Sequence, residues 1–213
     1  MMDLYSFFNS STSYRVRIAL GLKDVAHETI PVNIRKLEHR EAGYVSRNPS
    51  AGVPLIDDGG FHLGQSLAII DYLDDKYPEP RLLPRDSKQR ARVLEIANLI
   101  ACDMHPVNNL RVLRYLTQDM GVTEAAKNQW YQHWIAEGFA SLEALLARAG
   151  SGGFCIGGQV SLADCCLVPQ VANALRMECD VSPYPRIRAV YEHCNTLPAF
   201  QKAAPAQQPD FDQ

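Results

Sequence analysis

Four hydroxyl-bearing side chains in succession, Ser10-Ser11-Thr12-Ser13, stand between a short apolar stretch, Leu4-Tyr5-Ser6-Phe7-Phe8, and a segment of helical period. In that segment Tyr14, Ile18 and Leu22 fall on one face. The apolar stretch reads as a strand, which puts the hydroxyls at a strand-to-helix turn. The first N–H groups of a helix have no partner within it and carry a partial positive charge. A hydroxyl there either caps the helix or stabilises an anion brought to it. One cap needs one hydroxyl, so a run of four directs the search toward an anion site elsewhere in the chain.

The stretch His27-Glu28-Thr29-Ile30-Pro31-Val32-Asn33-Ile34 alternates and is β-branched, and its proline suits an edge strand. Two apolar runs flank Asp58-Gly59-Gly60, the pattern of a hairpin. Ser66 then reads as the cap of a helix whose apolar stripe is Leu67, Ile70, Leu73 and Tyr77. The order is βαβ, a loop, then ββα. Val53-Pro54 falls where a strand should begin, and an X-Pro bond is the one place where a cis peptide is cheap. A cis bond there would turn the Val53 N–H and C=O outward to pair with an extended ligand, whereas a trans proline would merely open the strand. Gln65-Ser66 supplies a second helix start with polar side chains, suited to a carboxylate.

The 213 residues are enough for one large domain or two small ones, and the net charge of −3 without a basic block argues against nucleic acid as the main partner. No apolar stretch is long enough to span a bilayer, and no basic-then-apolar leader opens the chain, so a soluble cytoplasmic protein is expected. The cysteines, Cys102, Cys155, Cys165, Cys166, Cys179 and Cys194, have neither disulfide-frame nor zinc spacing and read as reduced, mostly buried thiols; no metal site is expected.

Pro78-Glu79-Pro80-Arg81-Leu82-Leu83-Pro84 is the natural break, and the pattern beyond it is helical. Val93, Ile96, Ala97 and Ile100 form one core stripe, and Trp130, Trp134, Phe139, Leu142 and Leu146 another. Pro106 should kink the first long helix. Ser161-Leu162-Ala163-Asp164 reads as a capping box, a folding signal more than a catalytic pair. The tail from Ala203 to Gln213 should drape over the surface or fray.

The run Ser10-Ser11-Thr12-Ser13-Tyr14-Arg15-Val16-Arg17-Ile18-Ala19-Leu20 resembles the zeta class of the glutathione transferase superfamily, with Thr12 where the usual motif has Cys and Tyr14 where it has Trp. Gln65-Ser66-Leu67-Ala68-Ile69-Ile70, Arg81-Leu82-Leu83-Pro84, Leu162-Ala163-Asp164 and Leu167-Val168-Pro169-Gln170-Val171 match in register. The resemblance implies an α/β thioredoxin-like domain over 1–80, a linker over 81–87 and an all-α helical domain over 88–213. It implies glutathione as cofactor. Val53 would pair with its cysteinyl backbone, Gln65 and Ser66 would hold the γ-glutamyl carboxylate, and Ser11, with Ser10 or Thr12, would face the sulfur. His39 is a candidate for the glycyl end, against an ordinary solvated loop histidine. Asn9 replaces an arginine common in bacterial relatives. His105 and Asn109, one helical turn apart, would face the cleft, and Arg176 and Arg111, with Arg114 behind them, are candidates to anchor a carboxylate-bearing substrate. The implied activity is glutathione-dependent cis–trans isomerisation of a maleyl keto acid by a homodimer in aromatic catabolism. The alternatives are a maleylpyruvate substrate, a general conjugating or dehalogenating transferase, and a non-catalytic interaction module.

Overall fold

A computed structural model describes residues 1–211 of the chain. It divides into two compact units, Met1–Leu83 with the chain from Asn195 onward, and Pro84–Cys194. The first unit is built on a four-stranded sheet in the order β2-β1-β3-β4. Strand β1 (Met2–Ser6) buries Met2, Leu4 and Ser6 in alternation and leads through the hydroxyl turn into α1 (Ser11–Leu22). Strand β2 (His27–Pro31) lies parallel to β1 at the sheet edge, as its proline requires. A short helical turn, α2 (Ala42–Val45), precedes β3 (Leu55–Asp58), which runs antiparallel to β1 with Met2 opposite Asp58. The hairpin to β4 (Phe61–Gly64) turns on Gly59 and Gly60, at φ 64° and 92°, with the Gly60 N–H donating to Asp57 Oδ1 at 2.7 Å. Both turn residues sit in the region where a side chain is strained, so glycine is required there.

Helix α3 (Ser66–Lys76) buries Ile69, Ile70 and Leu73. Gln65, not Ser66, holds the cap position, and Ser66 is the first helical residue. The expected capping role of Ser66 is corrected because its Oγ accepts from the buried Arg15 guanidinium at 3.3 Å. Near the end of α3, Asp74 gathers the N–H groups of Leu82 (2.7 Å) and Leu83 (3.1 Å) and the ammonium of Lys23 (2.8 Å). Lys23 donates further to the carbonyls of Tyr77 and Pro80 at 2.6 and 2.8 Å. The segment read as a linker from residue 81 is therefore anchored through Leu83, both leucines being buried.

In the second unit α4 (Ser87–Asn98) begins at Asp86, whose carboxylate accepts from the N–H groups of Lys88 and Gln89. It continues as a π-helical stretch, Leu99–Met104, and the short α5 (His105–Val107) that holds Pro106. The expected kink is thus resolved by widening the helix before the proline and breaking it after. Helix α6 (Leu110–Arg114), a second π-helical stretch (Tyr115–Asp119) and α7 (Glu124–Ala149) follow. Phe139, Leu142 and Leu146 are buried as the stripe requires, while Trp130 is half-buried and donates its indole N–H to the Val107 carbonyl at 2.9 Å. Helix α8 (Leu162–Arg176) opens on the expected capping box, the Asp164 carboxylate accepting from the Ser161 N–H at 2.8 Å and the Cys155 N–H at 2.7 Å. Helix α9 (Pro185–Cys194) completes this unit.

The chain then returns to the first unit. Helix α10 (Pro198–Ala203) buries Phe200 and Ala203 against α1, where Gly21 lets Ala199 come close enough that a Cβ at 21 would meet it at 3.4 Å. The described part of the tail lies over the surface as expected, anchored by Asp210, which is only 4% exposed, so that it does not fray. Asp212 and Gln213 lie outside the described residues. Among the described residues no helix is long and apolar enough to cross a membrane.

Truncating Asp74 strands the buried Lys23 ammonium. Asp74→Ala is expected to lower stability by about 3–5 kcal/mol in denaturant unfolding.

Candidate functional site

The hydroxyl turn is wired in one direction. Ser10 caps α1 from an extended backbone (φ −79°, ψ 117°), and its Oγ accepts from the Ser13 N–H at 3.2 Å. Ser10 Oγ and Thr12 Oγ1 are 2.9 Å apart, and Thr12 Oγ1 donates to the Val53 carbonyl at 2.8 Å. A hydroxyl has one proton. Thr12 gives its own to Val53, so Ser10 is the donor between the two. The relay runs from the Ser13 N–H through Ser10 and Thr12 to Val53, tying the start of α1 to the residue before β3.

Val53-Pro54 is cis. The Val53 carbonyl, expected to be open for a ligand, is the acceptor of Thr12. The preceding Gly52 carbonyl is held by the Tyr44 hydroxyl and by Asn48 Nδ2 at 2.7 Å, while Asn48 Oδ1 accepts from the Ser50 hydroxyl at 2.7 Å. Burial pushes the Tyr44 phenol up to about 12, against the pull of Asn48, so it stays a donor at any ordinary pH.

Thr12, Val53, Gln65 and Ser66 come together around a shallow, open pocket, with Asn48, Ser50 and Gly52 on its loop side. Gln65 is exposed and sits at φ 67°, a conformation costing about 1–3 kcal/mol for a residue with a Cβ. Such strain at the start of α3 places a side chain at the mouth of the pocket. Behind Ser66 lies Arg15, 1% exposed. A guanidinium can only donate. Ser66 Oγ therefore uses a lone pair on Arg15 and keeps its proton for an acceptor in the pocket. This wall combines a helix start, a hydroxyl proton and a buried cation, the chemistry of a carboxylate site.

The other expected residues are placed less centrally. Ser10 stands one hydrogen bond behind Thr12, and Ser11, the first residue of α1, is 6% exposed and outside the pocket lining. His39 is half-buried in a turn, Glu38–Arg40, also outside it. In the second unit His105 Nε2 and Asn109 Nδ2 are 3.2 Å apart. Asn109 Oδ1 caps α6 by accepting from the Arg111 N–H at 3.1 Å. Arg111 and Arg176 are exposed, and Arg176 donates to Asn173 at 2.9 Å. Asn48 and Tyr44 were missed in the sequence. The signal for Asn48 was Asn48-Pro49-Ser50, an Asx-type turn just ahead of Val53.

Three of the chain's own thiols, Cys155, Cys179 and Cys194, are poorly suited to attack. Burial pushes Cys155 and Cys194 well up, with Asp164 adding to both, and raises Cys179 to about 11. Among the described residues no group of three His, Cys, Asp or Glu side chains could hold a metal ion.

Residues 4–81 match the glutathione S-transferase N-terminal domain, and residues 128–193 its C-terminal domain. The chain is 47% identical to a probable maleylacetoacetate isomerase of Vibrio cholerae, over 97% of each chain. A solved holo structure of a maleylpyruvate isomerase, a bacterial glutathione S-transferase in the zeta class, is 48% identical, with a TM-score of 0.95 over 98% of this chain and 99% of that one. A maleylacetoacetate isomerase of Anaeromyxobacter dehalogenans with bound glutathione in its active site is 39% identical, with a TM-score of 0.89 over 99% and 98%.

Thr12→Val keeps the shape but breaks the relay, leaving Ser10 without its acceptor and Val53 without its donor. It is expected to cost about 1–3 kcal/mol in chemical denaturation.

Proposed function

The chain belongs to the glutathione S-transferase family, and on that premise we propose that it is a zeta-class, glutathione-dependent cis–trans isomerase of a maleyl keto acid, turning maleylacetoacetate into fumarylacetoacetate. The observation that carries the reading is the meeting of Thr12, Val53, Gln65 and Ser66 around one pocket. Glutathione has a carboxylate at each end and a thiol at its middle. The start of α3, with Gln65, the Ser66 proton and Arg15 behind it, suits the γ-glutamyl carboxylate, and Val53 suits the peptide backbone. The start of α1 suits the sulfur. His39, His105 and Asn109 are proposed as further contacts to glutathione. Arg176 and Arg111 are proposed to anchor the carboxylates of the substrate, and Arg176 to offset charge on its carbonyl oxygen.

When bound, glutathione supplies a thiolate that adds reversibly to the conjugated double bond, which can then rotate before the thiolate leaves. The chain's part is to keep that sulfur ionised. A free thiol has a pKa of roughly 8.5, and lowering it by about two units takes roughly 2.7 kcal/mol. A helix start contributes about 0.3–1 kcal/mol. One hydrogen bond to a charged group adds about 1.5–3 kcal/mol. A hydroxyl is therefore needed beside the helix. The sequence put Ser11, with Ser10 or Thr12, at the sulfur, and of the three this reading takes Ser10, which is half-buried and hydrogen-bonded to Thr12 of the pocket lining. Thr12 can keep its bond to Val53 without accepting from Ser10, so the Ser10 proton can be re-aimed at the sulfur for the loss of one hydroxyl–hydroxyl bond. Re-aiming Thr12 would strip the Val53 carbonyl.

A second reading, maleylpyruvate as substrate, is favoured by the 48% identity to the solved maleylpyruvate isomerase. Both substrates fit the same chemistry, and steady-state rates with each decide between them. The reading extends to a homodimer acting in aromatic catabolism. Six free thiols, five of them buried, suit a reducing cytoplasm.

Ser10→Ala is expected to raise the pKa of the bound glutathione thiol by at least about one unit, read by thiolate absorbance against pH, with Ser11→Ala having the smaller effect. An unchanged pKa in Ser10→Ala removes Ser10 from the role. Failure of the wild-type protein to be retained on immobilised glutathione would overturn the reading as a whole.

A further inference from the structure

The residues Phe7 and Phe8 just before the hydroxyl turn are held by Arg17 on α1 and by Asp210, more than two hundred positions away. Arg17, on α1 and 4% exposed, donates to the Ser6 hydroxyl at 3.0 Å and to the carbonyls of Phe7 at 3.3 Å and Phe8 at 3.0 Å. Its Nε donates to the carbonyl of Ala203, the last residue of α10, at 2.9 Å. The Phe8 N–H, pointing the other way, donates to Asp210 Oδ2 at 2.9 Å, and the Phe8 and Phe211 rings meet edge to face at 5.5 Å. The Phe7 carbonyl that Arg17 holds also accepts the Ser10 N–H at 3.0 Å. One connected set of hydrogen bonds therefore runs from the C-terminal segment to the backbone of the residue proposed to face the sulfur.

We propose that the C-terminal segment 198–211 acts as a positioning strap for the hydroxyl turn, with Asp210 and Arg17 as the positioning residues that set where Ser10 and Thr12 stand relative to the bound sulfur. The inference rests on the glutathione reading above. A backbone made of β1, a turn and α1 would hold the turn only at its two ends. The strap supplies the acceptor for the Phe8 N–H at Asp210, and its Ala203 carbonyl fixes the Arg17 guanidinium that holds the Phe7 and Phe8 carbonyls in between. Every one of these partners is buried, so water does not compete for them. Burial draws the Arg17 guanidinium down to about 10, and nearby Asp210 opposes that fall, which keeps the clasp charged at neutral pH. A hydrogen bond to a thiolate depends steeply on donor placement, so a small shift of the turn changes the chemistry without touching the carboxylate wall at Gln65 and Ser66.

The test uses the full-length chain and two variants. Asp210→Ala removes the acceptor for Phe8, and Asp210→Asn keeps an oxygen there without the charge. Amide hydrogen exchange over residues 8–13, measured without glutathione, is expected to rise in Asp210→Ala and to return toward wild type in Asp210→Asn. The bound thiol pKa is expected to rise by about half a unit in Asp210→Ala, which lowers kcat about threefold at pH values well below that pKa and about 1.5-fold at neutral pH, while KM for glutathione holds. Unchanged exchange over 8–13 in a folded Asp210→Ala overturns the strap, as does a loss seen only in KM. If wild type itself lowers no thiol pKa, the glutathione reading fails, and exchange over 8–13 still decides whether the strap sets the turn.

Discussion

The relay from the Ser13 N–H through Ser10 and Thr12 to the Val53 carbonyl joins two segments that are far apart in sequence and must be side by side in the pocket. Each member is asked for what it can give. The Ser13 N–H is one of the orphan donors of a helix start, Ser10 accepts it, Thr12 accepts from Ser10, and the Val53 carbonyl takes the last proton. With α1 and the loop before β3 fixed to each other, the start of α3 enters beside them because the β3–β4 hairpin is short. Two helix starts and one backbone edge thus face a common space, and a ligand with anionic groups and an extended middle suits that combination.

The interior of this unit is unusually rich in cations. Arg15, Arg17 and Lys23 all lie on or at the end of α1, and all are buried. Each is paired differently: Arg15 with a hydroxyl at the pocket wall, Arg17 with carbonyls of the preceding turn, and Lys23 with Asp74 and the chain leaving α3. A buried charge is tolerated when its donors are met by fixed acceptors. The three cations work as cross-braces, each joining α1 to a different neighbouring segment. Replacing them with apolar side chains would fill the volume but would not specify where those segments lie.

What the sequence revealed follows the same physics. The hairpin was legible because Asp58-Gly59-Gly60 has almost no other use, and the capping box because Ser161 and Asp164 are three apart before an apolar run. The pocket residues Val53, Gln65 and Ser66 were legible because proline and helix starts punctuate the chain. Burial around α1 was not, since an arginine announces no inward face: Arg15 meets Ser66 of α3, and Arg17 meets Ala203 of a distant segment. That segment was itself hidden: Phe200, Ala203 and Asp210 are too sparse to make a periodic stripe, and their role depends on where α1 already stands. Ser66 was misread as a cap because its acceptor role toward Arg15 requires knowing that Arg15 points inward. Asn48 and Tyr44 act on a backbone carbonyl, which no pattern of side chains announces.

The unit that begins the chain also holds its end, while Pro84–Cys194 forms a separate body in between. A ribosome makes these parts in order. The middle body can gather its helices while residues 198–211 are still in the exit tunnel, but α1 cannot be covered on its α10 side until they emerge. The nascent protein therefore waits with Arg17 of α1 lacking its Ala203 partner. A chain without residues 198–211 would have its sheet and middle helices present and its hydroxyl turn unfastened.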